Sequence, residues 1–250
     1  DSGNIGFVLL CAAFVFVMTP GLAMFYGGLV RKKNVVNTMM TSIFIIGVGI
    51  VMWVLFGYSL SFAPSGNAFI GDFRWLGLEG VSLTEGYTDD ASIPNMVFSA
   101  FQMMFAVITP ALITGAVAGR MKFKSIFVFT IFWSLIVYYP LAHMVWGQGG
   151  LLGADGIGAL DFAGGDVVHI SSGVSALVLC ILLGKRHDYE HSIYRIHNIP
   201  TVVLGASLLM FGWFGFNAGS ALAADGLAAH AFMTTGVSAA AAMLSWMLCD

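Results

Sequence analysis

The chain has 250 residues, of which 58% are hydrophobic and only 9% are charged, and its formal net charge is −3. A soluble domain carries about 25% charged residues, so this chain has too little polar surface to cover a globule in water, and its solvent must be lipid. The mean hydropathy of +0.89 excludes an ordinary soluble domain, and the absence of a basic excess gives no reason to expect a nucleic-acid partner.

Seven segments are long and apolar enough to cross a membrane, which requires about 20 mostly apolar residues. In chain order they are predicted at residues 5–27, 38–62, 94–118, 125–145, 167–184, 199–222 and 228–248. The connections between them are short, apart from residues 63–93, which are rich in Gly, Ser and Asp. The predicted fold class is therefore an all-α polytopic membrane protein, with residues 1–250 forming a single transmembrane domain.

The charged residues alternate between these connections. Nine of the ten Lys and Arg residues lie in the first, third and fifth connections, and the exception is Arg74. The acidic residues concentrate in or beside the even connections. The positive-inside rule then predicts cytoplasmic odd connections and an external amino terminus in the cell membrane. The stretch before Arg31 lacks the basic residues of a signal peptide, which leaves open whether one was removed before Asp1.

The three cysteines, Cys11, Cys180 and Cys249, all lie within apolar segments. An odd number of cysteines in such segments is typical of free thiols that serve as small packing residues. We therefore expect neither a disulfide nor a metal site, and no cofactor.

His169 opens the fifth segment, one turn after Asp166. An ionisable residue at membrane depth is costly and is therefore a candidate functional residue. The alternative is a structural histidine held by hydrogen bonds, and the residues by themselves favour that interpretation.

Aromatic residues gather near the predicted outer ends of three segments. Phe101 and Phe105 lie one turn apart on the third, Trp146 ends the fourth, and Trp213 and Phe216 lie on the sixth. Each of them alone is typical of the aromatic belt at a membrane surface. The glycines beside them favour a second interpretation, because glycine lets backbones approach closely and carbonyl groups line a cavity.

Asp161 follows a glycine-rich stretch just before the fifth segment. Its carboxylate would attract a small cation to an outer vestibule. It would equally well cap local backbone amides and hold the loop that leads into the segment. The sequence leaves both roles open.

Several long strings resemble the Amt/Mep/Rh family of ammonium transporters, in particular its bacterial and archaeal Amt members. They are TPGLAMFYGGLVRKKN at 19–34, HMVWG at 143–147, ALDFAGG at 159–165, VVH at 167–169 and GWFGFNAGS at 212–220. The resemblance implies a homotrimer of eleven-helix subunits, each built from two inverted five-helix repeats plus a final helix. This chain would cover the first repeat, at about 5–184, and the start of the second, at about 199–250. The remaining helices, with a second pore histidine, are expected after Asp250.

The resemblance also implies a transporter or channel for ammonium and ammonia, and not an enzyme. It would recruit NH₄⁺ at an outer aromatic site, and an apolar pore would conduct NH₃ with or without a relayed proton. The matching positions are Phe105, Trp146, Ser220 and Asp161 for the outer site, Phe105 and Phe216 for the pore gate, and His169 for the pore. A PII-type signalling protein is an expected partner on the cytoplasmic face.

Two alternatives keep this fold and change the function. One is an ammonium sensor with a downstream signalling domain, and the other is an Rh-type channel for NH₃ or CO₂. Trp146 and Ser220 favour the Amt branch over the Rh branch. The sequence departs from the family pattern at Gln148 and Asp166, both near the outer mouth, so recruitment or gating is expected to differ there.

Overall fold

The computed structural model describes residues 1–64, 67–154, 156–186, 189 and 193–249. Seven helices in this part of the chain are long and apolar enough to span a membrane. They are α1 Ser2–Leu29, α2 Lys32–Phe62, α3 Asn95–Val117, α4 Phe123–Trp146, α5 Gly165–Leu183, α6 Ile199–Gly219 and α7 Gly226–Cys249. The predicted all-α polytopic fold is confirmed. Helix α2 begins earlier than residue 38 because a short 3₁₀ turn, Lys32–Asn34, leads into it.

The odd connections meet at one end of the bundle, which we call the basic end. The Arg120 guanidinium, after α3, donates a hydrogen bond of 2.9 Å to the Gly184 carbonyl, after α5. The ring of Tyr194 lies 5.5 Å from the Arg31 guanidinium and 4.4 Å from that of Arg186. Contacts of this kind bring three connections that are far apart in sequence into one cationic surface.

The even connections meet at the opposite end, which we call the mouth end. Within the long connection 63–93, the Ala68 carbonyl accepts a hydrogen bond of 2.9 Å from the Leu151 amide, which follows α4. The Ser92 hydroxyl donates a bond of 2.6 Å to the Leu222 carbonyl, which follows α6. The long connection therefore lies over the ends of the helices.

Helices α1 and α6, which the resemblance assigns to the starts of the two repeats, pack antiparallel along their length. Close contact requires glycine at several points of this interface. A Cβ added at Gly28 would collide with Val202, and one added at Gly212 would collide with Met18. The backbones of α1 and α6 therefore lie close together, and the division into repeats stays a prediction.

Three of the helices contain a π-helical turn, at Trp53–Gly57 in α2, Ser134–Tyr138 in α4 and Gly165–Ile170 in α5. A π turn inserts one extra residue and so changes the direction of the side chains that follow, and such turns are frequent at functional sites. In α5 the turn contains His169 and precedes the regular helix Ser171–Leu183. The orientation of this histidine therefore differs from the one that an uninterrupted helix would give it.

Candidate functional site

The predicted aromatic residues meet in one cluster at the mouth end. The ring centroids of Phe105 on α3 and Phe216 on α6 are 4.4 Å apart. The ring of Trp146, at the end of α4, stands edge-on to Phe105, with a centroid distance of 6.1 Å. Phe101 lies one turn before Phe105, with its ring centroid 4.9 Å away. Three helices thus bring these rings together, which a belt of independent surface residues would not require.

A pocket of about 240 Å³ opens beside this cluster. Its wall contains all the residues predicted for the outer site, which are Phe105, Trp146, Asp161 and Ser220. Phe105 and Phe216 are almost completely buried beneath it. The pocket therefore reaches the Phe105 ring, which in turn contacts the Phe216 ring.

The Asp161 carboxylate organises the loop that leads into α5. One oxygen accepts backbone N–H bonds from Gly164 and Gly165, at 2.5 and 2.8 Å. The other accepts N–H bonds from Asp166 and Val167, at 2.8 and 3.0 Å. The first amides of a helix have no partner within it, so this carboxylate caps α5. The capping role that the sequence left open is present, and the same residue also lines the pocket.

Hydrogen bonds to backbone carbonyls position the two polar groups of Trp146 and Ser220. The Trp146 indole N–H donates a bond of 2.9 Å to the Asp161 carbonyl, which holds the ring at the edge of the pocket. The Ser220 hydroxyl donates a bond of 2.9 Å to the Phe216 carbonyl. Because its only hydrogen is used in this way, the Ser220 oxygen can present its lone pairs to a donor in the pocket.

His169 lies on the far side of the phenyl pair. Its ring is nearly parallel to that of Trp213, at 5.4 Å, and lies 5.9 Å from that of Phe216. Among the described residues, the imidazole is held by these ring contacts and makes no hydrogen bond. The hydrogen-bonded structural histidine that the residues by themselves favoured at this position is therefore not observed.

His143 on α4 has the structural role instead. It is fully buried, and its Nδ1 and Nε2 atoms lie 3.1 Å from the Ser61 carbonyl and 2.8 Å from the Asn67 carbonyl. These contacts attach α4 to the end of α2 and to the start of the long connection. Both His143 and His169 lie near segment ends, and only their partners distinguish them.

The sequence did not point to six residues of the pocket wall, and two of these, Tyr87 and Gln102, carry polar groups with a clear structural context. Tyr87 belongs to the long connection, whose irregular sequence gives no periodic signal. Its ring stacks on that of Phe98, with centroids 4.8 Å apart and an interplanar angle of 5°. Gln148 anchors it through two hydrogen bonds, from its backbone N–H to the Tyr87 hydroxyl at 3.1 Å and from Nε2 to the Tyr87 carbonyl at 2.9 Å.

The model of the Ammonium Transporter Family matches residues 6–250. The chain is 52% identical over 248 residues to an ammonium transporter of Bacillus subtilis (strain 168), across 99% of this chain and 60% of that protein. It is 42% identical over 248 residues to the ammonium transporter Amt1 of Archaeoglobus fulgidus, across 99% of this chain and 60% of that protein.

The chain belongs to the ammonium transporter family. Its fold resembles the crystal structure of Saccharomyces cerevisiae Mep2, with a TM-score of 0.90 and 38% identity over 100% of this chain and 55% of that one. It also resembles a structure described as a sensor Amt protein, with a TM-score of 0.86 and 28% identity over 99% of this chain and 62% of that one. The chain spans about 60% of the length of the curated relatives it matches.

The departure from the family pattern at Gln148 leads to a first prediction. Replacing Gln148 by glycine removes the side-chain bond to the Tyr87 carbonyl, and a hydrogen bond contributes about 0.5–1.5 kcal/mol. We expect amide hydrogen exchange around Tyr87 to become about three- to ten-fold faster, because each 1.4 kcal/mol corresponds to a factor of about ten. The matched control is Leu160→Ala, since Leu160 lies in the same connection and is 99% exposed. Unchanged exchange in the glycine variant would show that Gln148 does not anchor Tyr87.

Proposed function

We propose that the protein containing this chain moves ammonium across the cell membrane. It recruits NH₄⁺ in the mouth-end pocket and conducts NH₃, with or without a relayed proton, along an apolar pore that contains His169. One observation carries the proposal: the rings of Trp146, Phe105, Phe216 and His169 are in consecutive contact from the pocket inwards. We propose a transporter or channel rather than an enzyme.

The pocket suits a cation that has lost part of its water. Aromatic faces attract cations, and a desolvated contact of this kind is worth about 2 kcal/mol. Trp146 and Phe105 supply such faces, and Ser220 supplies an oxygen that accepts an N–H bond. K⁺ has no N–H group to donate, so directed acceptors in the pocket favour ammonium over K⁺.

Passage beyond the rings selects the neutral form. The closely packed Phe105 and Phe216 rings are apolar, and a full charge is strongly penalised in such surroundings while neutral NH₃ is tolerated. The His169 imidazole behind them can bind NH₃ through a hydrogen bond or accept and pass on a proton. The permeating species thus changes from an ion above the rings to a neutral molecule below them.

The distribution of charge supports one orientation of the protein in the membrane. The basic end carries Arg31, Arg120 and Arg186, and the positive-inside rule assigns such an end to the cytoplasm. The amino terminus and the pocket would then face the outside, so the pocket would collect external ammonium. A homotrimer and a PII-type partner at the basic end stay predictions from the family resemblance.

An ammonium sensor is the second candidate function. It is favoured by the similarity to the structure described as a sensor Amt protein, which shows that the fold is shared by a protein of that description. The same pocket would then bind ammonium for signalling and not for flux. The Rh-type alternative is less favoured, because Trp146 and Ser220 both line the pocket.

The proposal is tested by ammonium-evoked currents in vesicles that contain the natural protein, before and after the change Trp146→Leu. Loss of the aromatic face is expected to raise the half-saturation concentration by about thirty-fold, which corresponds to about 2 kcal/mol. Trp246→Leu is the control, since Trp246 lies near the basic end of α7, away from the pocket. Ammonium binding without either ammonium uptake or ammonium-evoked current in the unaltered protein would favour the sensor. A current that survives replacement of both Trp146 and His169 would refute the assigned site.

A further inference from the structure

Gln102 lies on the face of α3 that borders the pocket. Residues 98, 101, 102 and 105 follow a spacing of three and four, which places them on one side of a helix. Three of these positions are phenylalanines, and Gln102 alone among them is polar. All four line the pocket.

The side-chain oxygen of Gln102 is buried and has no hydrogen-bond partner among the described residues. The residue is only 8% exposed, and among the described residues no donor lies within hydrogen-bond distance of its Oε1 atom. Buried side-chain acceptors are nearly always hydrogen-bonded, so an unpaired one in a native structure requires an explanation. Gln102 lines the pocket although this oxygen has almost no accessible surface, so a turn of the terminal amide would present the oxygen to a donor in the pocket.

Apart from the hydroxyls of Tyr87 and Thr88, the other side-chain acceptors of the pocket are few. The two Asp161 carboxylate oxygens already accept four backbone N–H bonds. The rings of Phe105 and Trp146 offer π faces and no oxygen acceptor. Ser220 offers one hydroxyl oxygen. An ammonium ion carries four N–H donors, so a second directed acceptor would replace water that the ion has lost.

We propose that Gln102 is a further binding residue of the pocket, whose side-chain carbonyl accepts an N–H bond from ammonium. This inference rests on the proposed function and adds to it the acceptor that pairs with Ser220. The ion would be held between two oxygen acceptors and the aromatic faces of Phe105 and Trp146. An alternative is that Gln102 only fills space between helices.

The test compares two variants of the natural protein by ammonium-evoked current in vesicles. Gln102→Leu keeps the approximate volume and removes the acceptor, so the half-saturation concentration should rise about ten-fold or more while the maximal current changes little. Gln102→Glu keeps the length and the acceptor and adds a negative charge, so the half-saturation concentration should equal that of the unaltered protein or fall below it. A residue that only fills space predicts the reverse order, because an apolar side chain is tolerated there better than a carboxylate.

The outcomes separate this inference from the proposed function. An unaltered half-saturation concentration in Gln102→Leu, or an equal increase in both variants, would overturn the role of Gln102 while ammonium transport stands. If Gln102→Leu does not reach the membrane, Gln102→Glu decides: an increased half-saturation concentration overturns the role, and an equal or lower one supports it. Absence of both ammonium uptake and ammonium-evoked current in the unaltered protein would overturn transport itself.

Discussion

Replacement of Asp161 by alanine is expected to destabilise the protein by about 3–5 kcal/mol and to lower ammonium flux at least ten-fold. The carboxylate accepts four backbone N–H bonds, and each bond to a charged group contributes about 1.5–3 kcal/mol without being additive. Removing it leaves these amides without acceptors and releases the loop whose carbonyl holds the Trp146 indole. The helix start and the pocket wall are therefore lost together.

The measurement is the unfolding temperature in detergent, alongside ammonium uptake in vesicles. Asp161→Asn should be intermediate, because one side-chain oxygen still accepts two of the bonds while the new NH₂ group faces the other two amides. Asp166→Asn is the matched control, since Asp166 lies in the same turn and its carboxylate accepts no hydrogen bond among the described residues. Equal effects at Asp161 and Asp166 would mean that negative charge at the start of α5, and not the helix cap, sets the unfolding temperature and the ammonium uptake.

Replacement of His169 by leucine is expected to lower ammonium flux by about 100-fold or more, which is the smaller end of the effect of a positioned proton donor or acceptor. The side chain lies next to Phe216, and among the rings of the described residues that contact Phe216 it is the imidazole that titrates near neutral pH. The pocket above is untouched, so the half-saturation concentration should change little. Currents and half-saturation are measured in the same vesicles.

His143 supplies the control for this second change. His143→Leu removes the imidazole between the Ser61 and Asn67 carbonyls and is expected to lower the unfolding temperature, because the ring N–H that one of these carbonyls accepts is lost. His169→Leu should leave the unfolding temperature nearly unchanged, since its ring is held by apolar contacts that leucine partly keeps. If His169→Leu transports ammonium at the original rate, the imidazole has no part in conduction.

The two histidines illustrate where sequence reasoning is limited. Both stand near the ends of predicted segments, and the residues alone favoured a structural role for His169. The carbonyl groups that engage His143 come from residues 61 and 67, about 80 positions away, and His169 instead stacks on rings of α6. Neither set of partners can be read from local spacing.

Some residues of the pocket were predicted from the sequence, and others were not. The strings that resemble the family identified Phe105, Trp146, Asp161 and Ser220, and the structure brings these four residues to one wall. Gln102 and Tyr87 were not identified. Gln102 lies within a predicted helix, where a polar residue is visible but the direction of its side chain is not, and Tyr87 lies in a long connection without periodicity. Their binding roles stay predictions.

The sequence by itself determined the class of the protein, the seven spans and the grouping of basic residues in the odd connections. It could do so because the hydrocarbon core imposes a minimum length of apolar residues on every helix, and because each crossing alternates the side of the next connection. Only the tertiary structure decided which side chains meet: the rings of Trp146, Phe105 and Phe216, and the ring of Trp213 on which His169 stacks. It also decided that the oxygen of Gln102 is left unpaired. Those features depend on hydrogen bonds and packing between segments distant in the chain, which no local pattern of residues encodes.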